Sequence, residues 1–394
     1  MSRVLRLKRL VPAALAAALA WKWYRTPVPP PEEDQGEGLT REGWSFTTAD
    51  GVTLRGKRYA VPGGVPVLLV HGFEGNGNEF DLPRRGRNLA VFLAREGFDV
   101  WIANFRGNGR GSTVSDSGGW RHSIDHLAAY DADALVRGVT EATGRKPVWV
   151  GHSMGGMVLF GYLQGASFRE GSFVADEGLA RERNGLIAAG VTIGSPPAFY
   201  WEQGGFFGFL SSSPVSRAVL RLLMAALRLL EKRGGRVSLG VPVGRWAERH
   251  PKAAAALAMS PAGILLYNWR NVEADAAVSL LRWAGDDVSA SMARQLIFGI
   301  VNHDYLSYDR RYDYTANMGR ITVPSLFVTG TEDFASRDCI RSYGYERVSS
   351  PRREFLCFPG YGHTDLVMGK AVEEKVYPAI LSWLREVVDP ANAA

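Results

Sequence analysis

Six short, wholly apolar runs punctuate this chain, each closed by turn residues, and they restrict its fold more than any other feature. They are Val67-Leu68-Leu69-Val70, Val100-Trp101-Ile102-Ala103, Val148-Trp149-Val150, Ile187 to Ile193, Leu326-Phe327-Val328 and Phe355-Leu356-Cys357-Phe358. A strand with one wet face alternates apolar and polar side chains, so a run that is apolar throughout is buried on both faces. Stretches of helical period, such as Asn88 to Glu96 and Asp125 to Glu141, lie between most of the runs. Buried strands alternating with helices predict an α/β architecture, a mostly parallel sheet with helices on both faces. Ahead of the first run, Trp44 to Thr47, a turn at Asp50-Gly51 and Val52 to Tyr59 predict a hairpin at the sheet edge. No internal repeat is visible, which removes solenoids and propellers.

The alternation breaks once. From Tyr200 to His303 the pattern is helical with no clear buried strand. A structureless loop of that length has no place inside a compact domain, so a helical cap over the sheet's active edge is expected. The expected organisation is a core over residues 38–200 and 304–388, a cap over 201–303, and a separate N-terminal segment over 1–37.

Charge narrows the function classes. The chain holds 46 Lys and Arg against 40 Asp and Glu, and the excess is local. Arg3, Arg6, Lys8, Arg9, Lys22 and Arg25 account for all of it, leaving a neutral body without an electrostatic footprint for nucleic acid. The same basic residues flank an apolar run, Val11 to Ala20, and Ala18-Leu19-Ala20 resembles a cleavage site. This is the pattern of an export signal. The run is shorter than the ~20 residues that span a bilayer, yet Trp21 to Arg25 suits a membrane interface, so an uncleaved anchor is the second reading. A basic amphipathic helix on a cytoplasmic protein is the third. Pro27 to Pro31 and the acidic stretch through Glu37 follow as a stiff linker. Two cysteines, Cys339 and Cys357, are too few for a disulfide scaffold and lack zinc-site spacing, so two free thiols and no metal are expected.

Chemistry enters at Gly151-His152-Ser153-Met154-Gly155, directly after one apolar run and directly before the helical stretch Met157 to Gln164. Gly-x-Ser-x-Gly in that context makes a sharp strand-to-helix turn that lifts a serine oxygen above the sheet. The turn strains the serine backbone, and small neighbours avoid a clash. An oxyanion hole needs two backbone N–H donors. Met154 supplies one, and Phe73 of His71-Gly72-Phe73, which follows an earlier strand, supplies the other. His71 is expected to hold that loop rather than to move protons. Serine is a weak nucleophile until a base takes its proton and an acid orients the base. Asp333 follows the Leu326 to Val328 strand and His363 follows the last strand, so both loops emerge on the Ser153 edge. Glu332 is the rival acid; Asp333 is preferred for its distance from Gly330. This is the order Ser, acid, His of the α/β-hydrolase fold. His122, His126, His152, His250 and His303 are expected to be structural or solvated, and Asp365 to be a helix N-cap or to help orient the His363 loop.

A family resemblance rests on further motifs. Gly97-Phe98-Asp99-Val100-Trp101 with Asn104 to Asn108, Trp120 to Asp125 leading to Tyr130-Asp131, and His363-Thr364-Asp365-Leu366 leading to Gly369 resemble the acid lipases (gastric and lysosomal lipases). The likeness covers roughly residues 65 to 165 and 315 to 385. It implies a catalytic Ser153, Asp333 and His363, oxyanion donors at Phe73 and Met154, and cofactor-free hydrolysis of a small-molecule ester or lipid, with no protein partner implied. Met154 stands where those lipases usually carry glutamine, and the cap contains nothing similar to theirs, so the substrate stays open.

In the cap, Phe206 to Leu210 is a concentrated apolar run, and Pro214 to Arg233 predicts a helix with Ser213 as N-cap and Gly234 as stop. Arg217, Arg221, Arg228 and Lys232 fall on one face; Val215, Val219, Leu222, Leu223, Leu227 and Leu230 lie largely opposite. One expectation is a lid whose apolar face lines an acyl pocket while its basic face meets anionic headgroups at a membrane surface. The other is an ordinary surface helix. Thioesterases and acyltransferases share such a fold and triad, and a non-catalytic binding protein is the alternative outside enzymes.

Overall fold

Five of the apolar runs become strands buried throughout, whereas the last, Phe355 to Phe358, forms the terminal strand of the sheet and departs from the expectation: it is only half-buried, with Cys357 exposed. A computed structural model describes residues 36–84, 86–200, 214–238, 240–260 and 267–388. Strands β1 (Thr40–Thr47) and β2 (Thr53–Ala60) form the expected hairpin, followed by β3 (Pro66–Val70), β4 (Asp99–Ala103) and β5 (Val148–His152). A small hairpin of β6 (Ala166–Arg169) and β7 (Ser172–Ala175) precedes β8 (Ala189–Ile193). The two-residue strands β9 (Arg236–Val237) and β10 (Val288–Ser289) pair with each other, and β11 (Ser325–Gly330) and β12 (Arg353–Phe358) complete the set. Eight of these strands form one sheet in the order β1-β2-β4-β3-β5-β8-β11-β12. It is antiparallel across β1, β2 and β4 and parallel from β4 to β12. The parallel strands all end on one edge, which is why the loops after β3, β5, β11 and β12 converge.

Period two along the strands divides the core. Leu68, Val70, Trp101, Trp149 and Phe327 pack on one face against Leu135, Val139, Met157 and Phe160, from the helices Ala132–Thr143 and Met154–Leu163. Val67, Leu69, Val100, Ile102, Val150 and Val328 pack on the other, against Leu89, Leu93, Ile380 and Leu384 from Leu89–Arg95 and Val376–Val388.

Between β8 and β11 the described α-helices are Pro214–Lys232, Gly240–Arg249, Pro251–Ala258, Ala274–Ser279 and Ala290–Asn302. The first ends before Gly234, which takes a left-handed φ of 64°. Its packing uses only part of the expected apolar face: Leu227 is buried and Leu230 packs beside it, whereas Val219, Leu222 and Leu223 point to solvent, Leu222 with 72% exposure. One stripe of side chains is enough to seat a helix on its neighbours, and the rest of this apolar surface is left uncovered by the described residues. The expected apolar run Phe206 to Leu210, the Ser213 cap and residues 1–35 lie outside the described residues. Among the described residues, no helix is long and apolar enough to cross a membrane, and both cysteines are free thiols.

The insertion is fastened to the loop after β3. Asn76 N–H donates to Ala284 O (3.0 Å) and Asp286 N–H to Glu74 O (2.7 Å). The Asp286 carboxylate accepts from Asn76 Nδ2 (3.1 Å) and from Gly109 N–H (2.8 Å), while Asn108 Nδ2 donates to Asp287 O (2.8 Å).

Candidate active site

The turn after β5 places Ser153 at φ 51° and ψ −117°, a backbone region that costs a non-glycine residue about 1–3 kcal/mol. Two contacts enforce it. Ser153 N–H donates to Ile193 O on the neighbouring β8 (2.8 Å). The helix starting at Met154 runs so close to β3 that a Cβ on Gly155 would lie 2.2 Å from Val70 O, which requires glycine there. The serine is thereby held half-buried at the sheet edge, over the unpaired N–H groups of a helix N-terminus.

His363, in the loop after β12, turns Nε2 to Ser153 Oγ at 2.8 Å and Nδ1 to Asp333 Oδ1 at 3.1 Å. Asp333 is fully buried and also accepts from Ala335 N–H (2.9 Å), Ser336 N–H (3.2 Å) and Ser336 Oγ (2.5 Å). Burial opposes its ionisation, but His363, the Ser336 hydroxyl and the turn amides outweigh burial and hold the carboxyl below its ordinary value. Burial likewise disfavours a charged His363, and the Asp333 charge and hydrogen bond reverse that, raising its pKa with smaller help from Glu79 and Asp365. Gly194 backs the pair at φ 58°; a Cβ there would come within 3.0 Å of Asp333 Oδ2. Glu332, the rival acid, is exposed. The structure therefore brings Ser153, His363 and Asp333 together and leaves Glu332 out.

Met154 directly follows Ser153, and Phe73 lies in the loop that reaches the elbow. Met154 is the first residue of its helix, and the loop carrying Phe73 presses on the elbow: a Cβ on Gly72 would lie 3.0 Å from Ser153 Cβ. His71 fastens that loop. Its Nε2 accepts from Phe105 N–H (3.2 Å), which leaves Nδ1 to donate to Gly72 O (2.9 Å). Burial keeps its pKa below the ordinary value, as a neutral, loop-holding ring requires.

The other histidines lie elsewhere. His122 is buried just before the helix Ile124–His126 and His126 is half-buried at its end, and desolvation holds both below the ordinary pKa, at about 3 and about 4. His250 precedes the helix Pro251–Ala258, and His303 Nδ1 faces Phe199 O (3.0 Å). His152 sits beside Ser153 and faces Glu79. Asp365 is not the N-cap but holds the His363 loop. Thr364 occupies the N-cap position, and Asp365 is the first residue inside that helix. Its carboxylate accepts from Asn268 N–H (3.2 Å) and Asn271 Nδ2 (2.7 Å), tying the His363 loop to the insertion. Sequence reasoning passed over Glu79 and Ser336. Ser336 lies one turn beyond Asp333, a spacing that hints at its role; Glu79 carries no such signal. Among the described residues, no cluster of His, Cys, Asp and Glu is arranged to hold a metal ion.

Residues 65–177 match the family model described as alpha/beta hydrolase fold. Triacylglycerol lipase 1 of Arabidopsis thaliana is 25% identical over 375 residues, covering 88% of each chain. Triacylglycerol lipase 2 of the same plant is 34% identical over 114 residues, 28% of this chain, and the match spans only 26% of that lipase's length. Among solved structures, a thermophilic esterase from Thermogutta terrifontis superposes with a TM-score of 0.52 at 20% identity, over 88% of this chain and 99% of its own. The chain has the α/β-hydrolase fold and is lipase-like in sequence.

Proposed function

We propose that the protein is a carboxylic ester hydrolase acting on lipid-like or hydrophobic substrates through Ser153, His363 and Asp333. The observation that carries this reading is the continuous chain from Ser153 Oγ through His363 to the buried Asp333, mounted on a strained elbow. Ser153 Oγ attacks the ester carbonyl while His363 Nε2 takes its proton. Asp333 orients the ring and stabilises the imidazolium. The carbonyl oxygen, now negative, is held by the N–H groups of Phe73 and Met154. His363 returns the proton to the departing alcohol, leaving an acyl-serine; it then activates a water that releases the acid and restores Ser153. The names of the related lipases support an ester substrate.

A lipid surface as partner is favoured by one observation. Val219, Leu222, Leu223 and Leu229 are exposed on the helix Pro214–Lys232, interleaved with exposed Arg221 and Arg228. Apolar side chains among cations suit the boundary of an anionic bilayer. The same reading takes residues 1–37 as an export signal or membrane anchor.

The test is treatment of the full chain with a fluorophosphonate, followed by peptide mass spectrometry. The expected result is a single adduct on Ser153, absent from Ser153→Ala. A folded protein that stays unlabelled overturns the hydrolase reading in favour of a binding protein.

A further inference from the structure

We propose that Glu79 is a positioning residue for the Ser153 site, a single carboxylate that holds the oxyanion loop, the elbow and the His363 loop in one arrangement. The proposal rests on the hydrolase reading above. Glu79 lies in the short turn Gly77–Phe80, only 5% exposed. Its Oε1 accepts from Gly72 N–H at 3.1 Å and faces His152 Nδ1 at 3.2 Å. Gly72 immediately precedes Phe73, and His152 immediately precedes Ser153. The far nitrogen of His152 stands 3.4 Å from His363 O, and the two imidazole rings have centroids 4.9 Å apart. Glu79 thus reaches the segments that carry the oxyanion donor, the nucleophile and the base, either directly or through one ring.

A neutral amide would fill the same geometry. Burying a carboxylate costs several kcal/mol more than burying an amide unless the charge is compensated, and these two partners include no permanent cation. The charge has a use next door. When His363 takes the serine proton it becomes an imidazolium, and nearby negative charge stabilises that form. The groups facing His363 are Asp333 from the loop after β11, Asp365 from its own loop, Glu79 from the loop after β3 and His152 from the elbow. The three carboxylates favour its protonation against the effect of burial.

The variant Glu79→Gln keeps an acceptor for Gly72 N–H and removes the charge. The first readout is the NMR titration of the His363 imidazole in the folded full chain, which needs no turnover. Its midpoint is expected to fall below that of the parent. The second is hydrolysis of p-nitrophenyl butyrate, with kcat lowered about ten-fold and KM nearly constant, as loss of a charge that acts only once His363 is an imidazolium produces. Glu79→Ala carries the same expectations and serves if the glutamine variant does not fold. A His363 midpoint unchanged in the folded variant overturns the proposal. A parent protein with no turnover on any ester overturns the hydrolase reading instead, and the His363 comparison still decides the role of Glu79.

Discussion

Asp333 and His363 lie 30 residues apart in the chain and meet through Oδ1 and Nδ1 at 3.1 Å, with Asp333 wholly removed from water. Such an acid fixes the ring's tautomer more than it moves protons. Asp333→Asn keeps the shape but presents a donor to a nitrogen that must itself donate. The expected result is a loss of about 10⁴-fold in kcat with an unchanged circular dichroism spectrum. A loss under ten-fold places the orienting acid elsewhere.

The pH dependence has a definite sign. His363 must be neutral to accept the serine proton, and burial is outweighed by Asp333, Glu79 and Asp365, so its pKa lies above the ordinary 6.5. The acid limb of kcat/KM is therefore expected to have its midpoint above 6.5. Stability follows by linkage. The raised His363 pKa contributes stability that is complete below 6.5 and is lost as pH rises through the folded value. The lowered Asp333 pKa contributes stability present above 3.8 and lost as pH falls through its folded value. Rate profiles and urea unfolding across pH check both.

Asp286 bolts the insertion to the core. Asp286→Ala strands three buried donors, Asn76 Nδ2, Gly109 N–H and Asp287 N–H, at about 1–3 kcal/mol each. Calorimetry is expected to show a lowered Tm, with kcat reduced because Asn76 follows closely on Phe73. An unchanged Tm contradicts this role.

Charging the exposed helix face separates surface binding from chemistry. Leu222→Glu with Leu223→Glu touches no buried contact, so stability and turnover of short soluble esters are expected to stay within two-fold of the parent. Sedimentation with anionic phosphatidylglycerol vesicles is expected to drop at least ten-fold. Equal vesicle binding removes the lipid-surface reading.

Much of the site was legible because its parts announce themselves locally. Ser153 sits in a spaced motif between a strand and a helix; Asp333 and His363 each follow an apolar run, and parallel strands send such loops to one edge. Five strands, β3, β4, β5, β8 and β11, were legible because burial on both faces makes them apolar; β12 is as apolar but lies half-exposed at the sheet edge. Other features depend on closeness that local pattern does not encode. Glu79 and His152 are 73 residues apart, and Asn76 and Asp286 are 210 apart. The β6–β7 hairpin was missed because Ala166–Arg169 and Ser172–Ala175 are short and partly exposed, so neither forms an apolar run. Helical period in Pro214–Lys232 located an apolar face but not the neighbours that would cover it, so a pocket-lining lid and a surface helix both stayed open, and Leu222 stands in solvent.

The most direct test of the central claim is turnover of p-nitrophenyl esters of increasing acyl length by the full chain, beside its Ser153→Ala variant. The account predicts hydrolysis by the parent, with a preference for longer acyl chains, and a loss of at least 10³-fold in the variant. Equal rates in the two proteins, or none in a folded parent at any chain length, would contradict it.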